Sequence, residues 1–424
     1  MKPPYLDLRR LLLDGRPDDH LVALEDTGPV SWRTLVDRSQ CYRKPRGAAR
    51  RRVLLREVAA VDFLAHLLAA LADDDVAVIP PNFQPGTLHS LAELPAPDDV
   101  PPAGLELYTS GSTGEPKCVV KTLGQFEAEC RVLETLWGTT LEHAVVVATT
   151  PYHHIYGLLF RLLWPLCAGR PFDAVTIADP ATLRRRLTRF PRTALVASPA
   201  QLSRLPDLAD LAALAPTPVL VFSSGGPLAP ETARRYAAAW DDPPTEILGS
   251  TETGGVAWRR QGDAQMGWTP LPGIAVRSDH DGALLVSSPF LATPSPYRME
   301  DAVECEPSGA FFLRGRLDRI VKIEEKRLSL PEMESCLARH PAVTAAALLP
   351  IQTGNRSSLG AVVVAEGTGG GGRKALVARL RDHLRQSYDP VLLPRRWRFV
   401  DRLPYTDRGK LAVAELAALL NGPP

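Results

Sequence analysis

The chain has 424 residues and 45% hydrophobic content, which is long enough for two or three domains and typical of a soluble globular protein. Lys and Arg together number 49 and Asp and Glu 48, so no global field favours binding to nucleic acid or to an anionic membrane. No apolar run reaches transmembrane length. The segment that starts Met1-Lys2-Pro3-Pro4 does not have the apolar core of a signal peptide. The six cysteines lack zinc-type spacing and indicate free thiols. We therefore expect a cytoplasmic protein that binds no nucleic acid, is not inserted in a membrane and acts on small molecules.

Strand-like and helix-like runs alternate from about residue 50 to residue 260. The clearest strand-like runs are Ala144–Thr149, Ala194–Ala197 and Pro218–Ser223, and Thr182–Phe190 is typical of a helix. This alternation predicts a mostly parallel α/β sheet with its ligand site at the carboxyl ends of the strands.

The pattern changes after residue 267, where short strands separated by turn residues predict a small antiparallel β-subdomain over about 267–317. These strands are Ile274–Arg277, Ala283–Ser287 and Ala310–Leu313. After Asp318 a second α/β unit is predicted, with helices Pro331–His340 and Lys374–Ser387 and strands Thr344–Leu349 and Gly360–Ala365. The predicted fold class is thus α/β. It has a large multi-sheet N-terminal domain (1–317), which includes the β-subdomain, and a small mobile α/β C-terminal domain (318–424).

The residue types that bind phosphate are concentrated between two apolar runs, Leu105–Tyr108 and Cys118–Val120. Two glycines let backbone N–H groups approach phosphate oxygens, hydroxyls add donors, and one lysine adds a positive charge. The spacing differs from that of the ordinary P-loop, because the lysine follows the second glycine by three residues. The segment predicts nucleotide binding, and the alternative is a flexible surface loop. Its residues are Thr109, Ser110, Gly111, Ser112, Thr113, Gly114 and Lys117.

This segment resembles the phosphate loop of the adenylate-forming superfamily, which comprises acyl- and aryl-CoA ligases, adenylation domains of peptide synthetases, and luciferases. Further blocks follow in the order of that family, and they are Pro151–Gly157, Ser224–Leu228, Gly249–Gly255, Gly315–Ile323 and Leu403–Lys410. The resemblance implies an AMP-forming acid–thiol ligase with ATP and Mg²⁺ as cofactors. Such an enzyme converts a carboxylic acid to an acyl-adenylate and passes the acyl group to a thiol.

The resemblance implies catalytic roles for Lys410, Glu252, Thr251 and His154, and a metal-binding role for Thr109. Lys410 would neutralise oxygens on the line of attack when the carboxylate reaches the α-phosphate. Glu252, beside Thr251, would coordinate Mg²⁺ together with Thr109, since Mg²⁺ prefers hard oxygen ligands. His154 would lie beside the carboxylate and the thiol channel.

The resemblance also places Asp301 at the ribose hydroxyls, with Arg316 as a second ribose or phosphate contact. Glu300 stands where the family has glycine and is an alternative to Asp301. Leu248 takes the position of an aromatic residue that stacks on adenine, so base binding would use apolar contact and the Ser224–Gly226 backbone. The full predicted nucleotide-binding set comprises Thr109, Ser110, Gly111, Ser112, Thr113, Gly114, Lys117, Gly225, Gly226, Leu248, Gly249, Ser250, Asp301 and Arg316.

In the family the small domain swings about an aspartate, here Asp318, between adenylation and thioester formation. The swing would remove Lys410 from the site. Glu325 replaces a glycine in the strand that borders the pantetheine tunnel of the family. Either this strand is shifted or the thiol is presented differently from that of free CoA.

The short N-terminal region, the segment 322–332 and the pair His153-His154 resemble ligases that load aromatic acids for aryl-polyene and xanthomonadin-type pigment synthesis. That resemblance implies a hydroxybenzoate-like acid and transfer to the phosphopantetheine of an acyl carrier protein. Carrier proteins are acidic, so a basic docking surface is expected, although a solvated helix face is an equal alternative. Its arginines would be Arg379, Arg381, Arg385, Arg395, Arg396 and Arg398.

Two other functions compete with this interpretation. One is an aryl- or short-acyl-CoA ligase that uses free CoA, which thiol preference would distinguish. The other is a nucleotide-binding sensor that has lost catalysis. The presence of Glu252, Asp318 and Lys410 together argues against the sensor.

Overall fold

The computed structural model describes residues 3–45, 49–94, 103–110, 116–262, 266–323, 326–353, 356–365, 372–405 and 411–422. The chain divides into two compact units. The first unit contains Met1–Val276 and Val286–Tyr297, and the second contains Arg277–Leu285 and Arg298–Pro424. No helix in the described ranges is both long enough and apolar enough to cross a membrane.

The first unit is built on two sheets. Its strands are β1 (Leu21–Glu25), β2 (Gly28–Ser31), β3 (Arg52–Leu54), β4 (Val76–Ile79), β5 (Leu105–Ser110), β6 (Pro116–Lys121), β7 (Val145–Ala148), β8 (Phe172–Thr176), β9 (Thr193–Ala197), β10 (Leu220–Ser224), β11 (Thr245–Ser250), β12 (Gly254–Arg260) and β13 (Thr269–Pro270). One sheet has the order β13-β12-β11-β10-β9-β7-β8-β1-β2 and the other β3-β4-β5-β6.

The centre of the larger sheet is parallel, as the sequence predicts. Strands β11, β10, β9, β7, β8 and β1 run in the same direction, while β12 joins β11 antiparallel. All five residues of β9 and of β10 are buried, because helices cover both faces of a parallel sheet. The carboxyl ends of these strands therefore lie along one edge.

Helices of the first unit pack against these sheets. They are α1 (Leu8–Asp14), α2 (Trp32–Gln40), α3 (Ala60–Ala72), α4 (Pro85–Glu93), α5 (Leu123–Leu141), α6 (Ile155–Gly157), α7 (Trp164–Ala168), α8 (Pro180–Arg189), α9 (Pro199–Leu208) and α10 (Pro230–Trp240), with a π-helical turn at Leu158–Leu163 between α6 and α7. The longest, α5, begins with a capping box in which Thr122 and Gln125 satisfy each other's backbone N–H. A core formed with α8, α9 and α10 includes Val147, Leu195 and Tyr236.

The remaining elements are further helices and the strands of three further sheets. They are β14 (Ala275–Ser278), β15 (Ala283–Ser287), β16 (Tyr297–Cys305), β17 (Phe311–Arg316), β18 (Ile320–Ile323), β19 (Lys326–Ser329), β20 (Val343–Thr353), β21 (Arg356–Ala365), β22 (Arg396–Phe399), α11 (Leu330–Ala338), α12 (Gly372–Arg385) and α13 (Val413–Asn421). The sheets are β14-β15-β16-β17, β18-β19 and β20-β21-β22, in which β16–β17, β18–β19 and β20–β21 pair antiparallel. A separate core beneath α11 and α12 includes Met333, Leu337, Leu348, Leu376 and Leu380.

The predicted α/β fold class is confirmed, and most predicted elements have the expected type. Strands β16 and β22 and the helix α13 were not predicted. Strand β16 was missed because its exposed positions carry Arg298, Glu300 and Glu304, which mask the alternation of a half-buried strand. The strand predicted at Thr344–Leu349 is longer, since β20 and β21 pair in one antiparallel ladder from Val343 to Thr353. All six cysteines are free, as expected.

Candidate active site

The predicted phosphate loop joins two strands of the smaller sheet. Strands β5 and β6 are antiparallel, and Thr109 lies opposite Lys117. The Thr109 hydroxyl contacts the Lys117 carbonyl oxygen at 3.4 Å. The predicted residues Gly111, Ser112, Thr113 and Gly114 lie outside the described residues, as does the side chain of Ser110.

An ion pair joins the predicted phosphate-binding lysine to the predicted metal ligand. Lys117 Nζ lies 2.6 Å from Glu252 Oε1, although the two residues are 135 positions apart in the chain. Burial opposes ionisation of the Glu252 carboxyl group, but the hydrogen bond from Lys117 keeps its pKa below the ordinary value. The same hydrogen bond raises the pKa of Lys117. Both groups are therefore charged at neutral pH.

The charge state of Glu252 fits a role in holding Mg²⁺. An ionised carboxylate oxygen is a hard ligand. The Glu252 carboxylate already binds one cation, the ammonium group of Lys117. The Thr109 hydroxyl, at the end of β5, is also of the type that Mg²⁺ accepts. The donor chemistry of these residues agrees with the predicted metal site.

Glu252 lies on the loop between β11 and β12, and glycines are required on both sides of this loop. A Cβ on Gly249 would lie 2.3 Å from the Gly254 carbonyl oxygen, and Gly254 has a φ of +68°. Within the loop, the Ser250 backbone N–H donates to Thr253 Oγ1 at 3.0 Å, and the Thr253 N–H donates to Ser250 Oγ at 3.2 Å. These bonds close a compact loop, and the partly exposed Thr251 and Glu252 lie between its two ends.

The end of the neighbouring strand β10 carries the predicted Ser224–Gly226 block. The Ser224 hydroxyl donates to the Ile247 carbonyl of β11 at 2.8 Å, which fixes the two strand ends together. Gly225 has a φ of +93°, a conformation that side chains other than glycine rarely adopt. Leu248, one residue further along β11, is partly exposed. The backbone of this edge is thus accessible in the way that base binding would need.

The two predicted histidines belong to an aromatic cluster after β7. The His153 and His154 rings are 4.5 Å apart, and Phe83 lies edge-on to His153 at 4.7 Å. Tyr152 packs between Phe83 and Phe63, with ring centroids 6.1 and 4.9 Å away. We name these five rings (Phe63, Phe83, Tyr152, His153 and His154) the aromatic cluster.

A π-helical turn follows the aromatic cluster. The Leu158 N–H donates to the His154 carbonyl at 2.7 Å, and the π-helical turn begins at Leu158. π-Helical turns inside helices are rare and frequently occur at functional sites. A Cβ on Gly157 would lie 2.0 Å from the Pro151 carbonyl oxygen, so glycine is required where the chain turns back.

The predicted ribose residues are neighbours in the second unit. Asp301 lies directly opposite Arg316 in the β16–β17 ladder, and Arg316 Nη1 is 3.9 Å from Asp301 Oδ2. Glu300 instead binds Arg298 at 2.9 Å. Because successive residues of a strand point to opposite faces, Glu300 and Asp301 do not present their carboxylates on the same side. The two acidic residues therefore have different charged partners, and the ribose role of Asp301, with Glu300 as the alternative, stays a prediction.

The predicted hinge Asp318 lies in a 3₁₀ turn, Leu317–Arg319, and its side chain is not among those described. The next residue, Arg319, binds Glu334 of α11 at 2.6 Å, and Glu334 accepts the Leu348 N–H at 2.6 Å. These bonds fix the residue after Asp318 to the core of the second unit. Lys410, Glu324 and Glu325 lie outside the described residues.

Sequence reasoning missed two charged residues beneath the Glu252 loop. Lys121 Nζ donates to the Glu252 carbonyl at 2.6 Å, and Glu129 Oε1 accepts the Gly255 N–H at 2.7 Å. Both side chains are buried. A signal was present for Glu129, which falls three residues after Phe126 and four before Leu133, on the apolar stripe of α5.

Comparison with known proteins gives a consistent assignment. A model of the AMP-binding enzyme family matches residues 36–287, and a model of the AMP-binding enzyme C-terminal domain matches residues 332–410. The chain is 30% identical over 303 residues to a 4-coumarate–CoA ligase of Rhodobacter capsulatus, covering 71% of this chain and 73% of the relative. It is 28% identical over 423 residues to an anthranilate–CoA ligase of Pseudomonas aeruginosa, covering 86% and 80%.

The fold agrees with a solved structure of ATP-bound MatB from Rhodopseudomonas palustris. The TM-score is 0.78 at 20% identity, over 97% of this chain and 98% of that one. The predicted enzyme class, an AMP-forming acid–thiol ligase, is confirmed by the family models together with the curated relatives. The chain belongs to the AMP-binding enzyme family.

Proposed function

We propose that this enzyme activates a small aromatic carboxylic acid with ATP and transfers the acyl group to a thiol. The observation that carries the proposal is the ion pair between Lys117, beside the phosphate loop, and Glu252, beside the edge of the parallel sheet. It joins a cation suited to phosphate with a carboxylate suited to Mg²⁺. Two distant blocks of the sequence thus meet at one site.

In the first half-reaction, the substrate carboxylate attacks the α-phosphorus of ATP, and pyrophosphate leaves with the electrons of the broken P–O bond. Mg²⁺ would neutralise charge on the phosphate oxygens, with Glu252 and Thr109 as its protein ligands. When ATP and Mg²⁺ are bound, Lys117 would contact a phosphate oxygen and Glu252 would contact the metal. Lys410 remains the predicted residue for the charge that develops on the α-phosphate.

In the second half-reaction, a thiol attacks the carbonyl carbon of the acyl-adenylate. The C–O bond to AMP breaks, the thiol proton passes to solvent or to a basic group, and a thioester and AMP are released. His154, the last residue before α6, is the predicted group beside the carboxylate and the thiol. Asp318 is proposed as the hinge between the two half-reactions.

The aromatic cluster supports an aromatic acid as substrate. Flat rings from Phe63, Phe83 and Tyr152 converge with the two histidines after β7. Phe63 and Tyr152 are buried, whereas Phe83, His153 and His154 are partly exposed. Aromatic rings prefer offset or edge-to-face contact with other rings, so the three partly exposed rings would favour a flat substrate ring over a flexible chain. The curated relatives named above carry the names of coumarate and anthranilate ligases, which are ligases of aromatic acids.

Free CoA is the first candidate for the thiol, because the relatives are named as CoA ligases. A carrier protein is the second candidate, supported by exposed basic residues on α12, including Arg373, Lys374 and Arg379. Some of the arginines predicted for a docking surface have partners within the chain. Arg398 donates to the Leu419 carbonyl at 2.9 Å and to the Gly422 carbonyl at 2.6 Å, at the end of α13.

The other predicted arginines are also partly engaged inside the second unit. Arg396 donates to the Leu420 carbonyl at 3.2 Å, and Arg385 binds Asp382 at 2.5 Å. Arg379 and Arg381, together with the exposed Arg373 and Lys374, are therefore the cations of this helix that we propose for contact with a carrier protein.

ATP–pyrophosphate exchange tests the first half-reaction. The acids would be benzoate, 3- and 4-hydroxybenzoate, cinnamates, short fatty acids and amino acids. We expect exchange with an aromatic acid and its loss in Lys410→Ala, while Lys374→Ala, an exposed lysine of the same unit, keeps it. Measurable ATP binding without exchange for any acid would favour the non-catalytic sensor.

Thioester formation with CoA and with holo carrier protein then separates the two acceptors. If the carrier protein is the acceptor, Arg379→Glu combined with Arg381→Glu raises its KM and leaves pyrophosphate exchange intact. Equal activity loss in both assays would contradict carrier-protein docking on α12.

A further inference from the structure

Lys121 holds the Glu252 loop from its buried side. It is the last residue of β6 and is 3% exposed. Its ammonium donates to the carbonyl oxygens of Glu252, at 2.6 Å, and of Phe290, at 2.8 Å. Gln125 of α5 donates to the same Phe290 oxygen at 3.0 Å. One buried cation therefore ties the end of β6 to the loop and to a third segment of the first unit.

Lys117 and Lys121 lie four positions apart on β6, so their side chains project from the same face of the strand. Lys117 binds the carboxylate of Glu252, and Lys121 binds its main-chain carbonyl. Strand β6, which follows the phosphate loop, thus contacts Glu252 at both its side chain and its backbone. Displacement of β6 or of the loop would break both contacts together.

Glu129 secures the other end of the same loop. Its carboxylate, 4% exposed on α5, accepts the Gly255 N–H at 2.7 Å. A Cβ on Gly254 would lie 2.5 Å from Glu129 Oε2, and a Cβ on Gly255 would lie 3.1 Å from Oε1. The two glycines leave the space that the carboxylate needs to reach the backbone.

Keeping these charges in the interior is costly. Burial lowers the pKa of Lys121 to about 8, against the favourable field of Glu129, and raises the pKa of Glu129 to about 7. Apolar residues of similar volume would avoid this desolvation penalty. The contacts described above are directed at the main chain of the loop and at Phe290, and they leave the Glu252 side chain exposed toward Lys117.

We propose that Lys121 and Glu129 are positioning residues that fix the main chain of Ser250–Gly255, so that the Glu252 carboxylate faces the phosphate loop. This inference rests on the proposed function of Glu252 in binding MgATP. Lys121 and Glu129 themselves act through the loop and touch neither substrate nor metal.

The test compares Lys121→Met and Glu129→Leu with wild type, using MgATP binding by calorimetry and hydrogen–deuterium exchange of the peptide covering 250–255. We expect the Kd for MgATP to rise about tenfold to a hundredfold, as expected for loss of a buried hydrogen bond to a charged group. Amide exchange of the loop should accelerate by a similar factor. Glu129→Gln keeps an acceptor for the Gly255 N–H and should restore most of the protection.

Glu134→Gln is the matched control, because Glu134 lies on the same helix and binds the buried Arg170 at 2.6 Å instead of the loop. It should lower the Tm without changing loop exchange or the Kd. If the Lys121 and Glu129 variants also lower only the Tm, their role is structural and the proposal is wrong. Should an apolar variant fail to fold, Lys121→Gln or Glu129→Ser replaces it, since these shorter side chains do not reach the same main-chain atoms.

Failure of the proposed function would be visible separately. Wild type that binds MgATP but exchanges no pyrophosphate with any acid would contradict the ligase proposal. The loop exchange and the Kd would still decide whether Lys121 and Glu129 position the loop.

Discussion

Glu252 and Asp301 are both predicted nucleotide-site carboxylates, but the protein holds them in different ways. Glu252 lies on a loop whose shape depends on Lys117, Lys121 and Glu129, all more than 120 residues away in the chain. Asp301 lies in a regular strand, with Arg316 as its partner across the ladder. The first position depends on tertiary contacts from several segments, whereas the second depends on the alternation of one hairpin. Substitutions at a distance should therefore disturb Glu252 more than Asp301.

The largest effect is expected from Glu252→Ala. It removes the carboxylate proposed to hold Mg²⁺, and we expect kcat/KM for pyrophosphate exchange to fall by roughly a hundredfold to a thousandfold, as for loss of other groups that stabilise charge in a transition state. Glu300→Gln is the control, since the Glu300 carboxylate is exposed and binds Arg298. A comparable fall in kcat/KM in both variants would contradict the proposed role of Glu252 in binding Mg²⁺.

A smaller effect is expected from Gly254→Ala, which touches no substrate. The added Cβ would lie 2.5 Å from Glu129 Oε2 at a φ of +68°, so the loop must shift. We expect the KM for MgATP to rise by about tenfold or somewhat more, the cost of a strained backbone and a displaced hydrogen bond. Gly262→Ala, where a Cβ meets nothing within 4 Å, should behave as wild type. Steady-state kinetics would measure the KM for MgATP in both variants. An unchanged KM in Gly254→Ala would show that the Glu252 loop does not depend on its contact with Glu129.

Asp301→Asn tests the hairpin side of the comparison. The amide keeps one acceptor oxygen but loses the charge, so we expect the KM for ATP to rise by about five- to tenfold with a smaller change in kcat. The Tm should change little, because the strand alternation that places the residue is retained. A kcat loss larger than the KM change would indicate a role other than ribose binding.

The smallest effect concerns the pH dependence of stability. Burial raises the pKa of Glu129 to about 7 in the folded protein, above its ordinary value of 4.5. The folded state therefore retains a proton that the unfolded state releases, and this contribution to stability is present below pH 4.5 and is lost as the pH rises toward 7. In thermal unfolding scans, the wild-type Tm should fall as the pH rises from 4.5 to 7. In Glu129→Gln this fall should be smaller by a few degrees. An unchanged pH profile would show that Glu129 ionises normally.

The sequence by itself predicted the elements whose signals are local. Strands β9 and β10, the helix α8 and the two strands flanking the phosphate loop follow from apolar runs and helical periodicity. The sequence also predicted the nucleotide-binding motifs, because glycines and hydroxyl residues at this spacing are typical of phosphate binding. Strand β16 was missed because exposed charges interrupt its apolar alternation.

The tertiary structure decided what local patterns could not. Glu300 and Asp301 are acidic and adjacent in the sequence, and only the register of β16 and β17 showed that Asp301 lies opposite Arg316 while Glu300 binds Arg298. Most clearly, the contacts of Lys121 and Glu129 with the backbone of the Glu252 loop became visible only in the fold, because these residues lie more than 120 positions from the loop in the chain. Composition and spacing fix which chemistry a chain can perform, whereas the orientation of its groups depends on contacts between segments far apart in sequence.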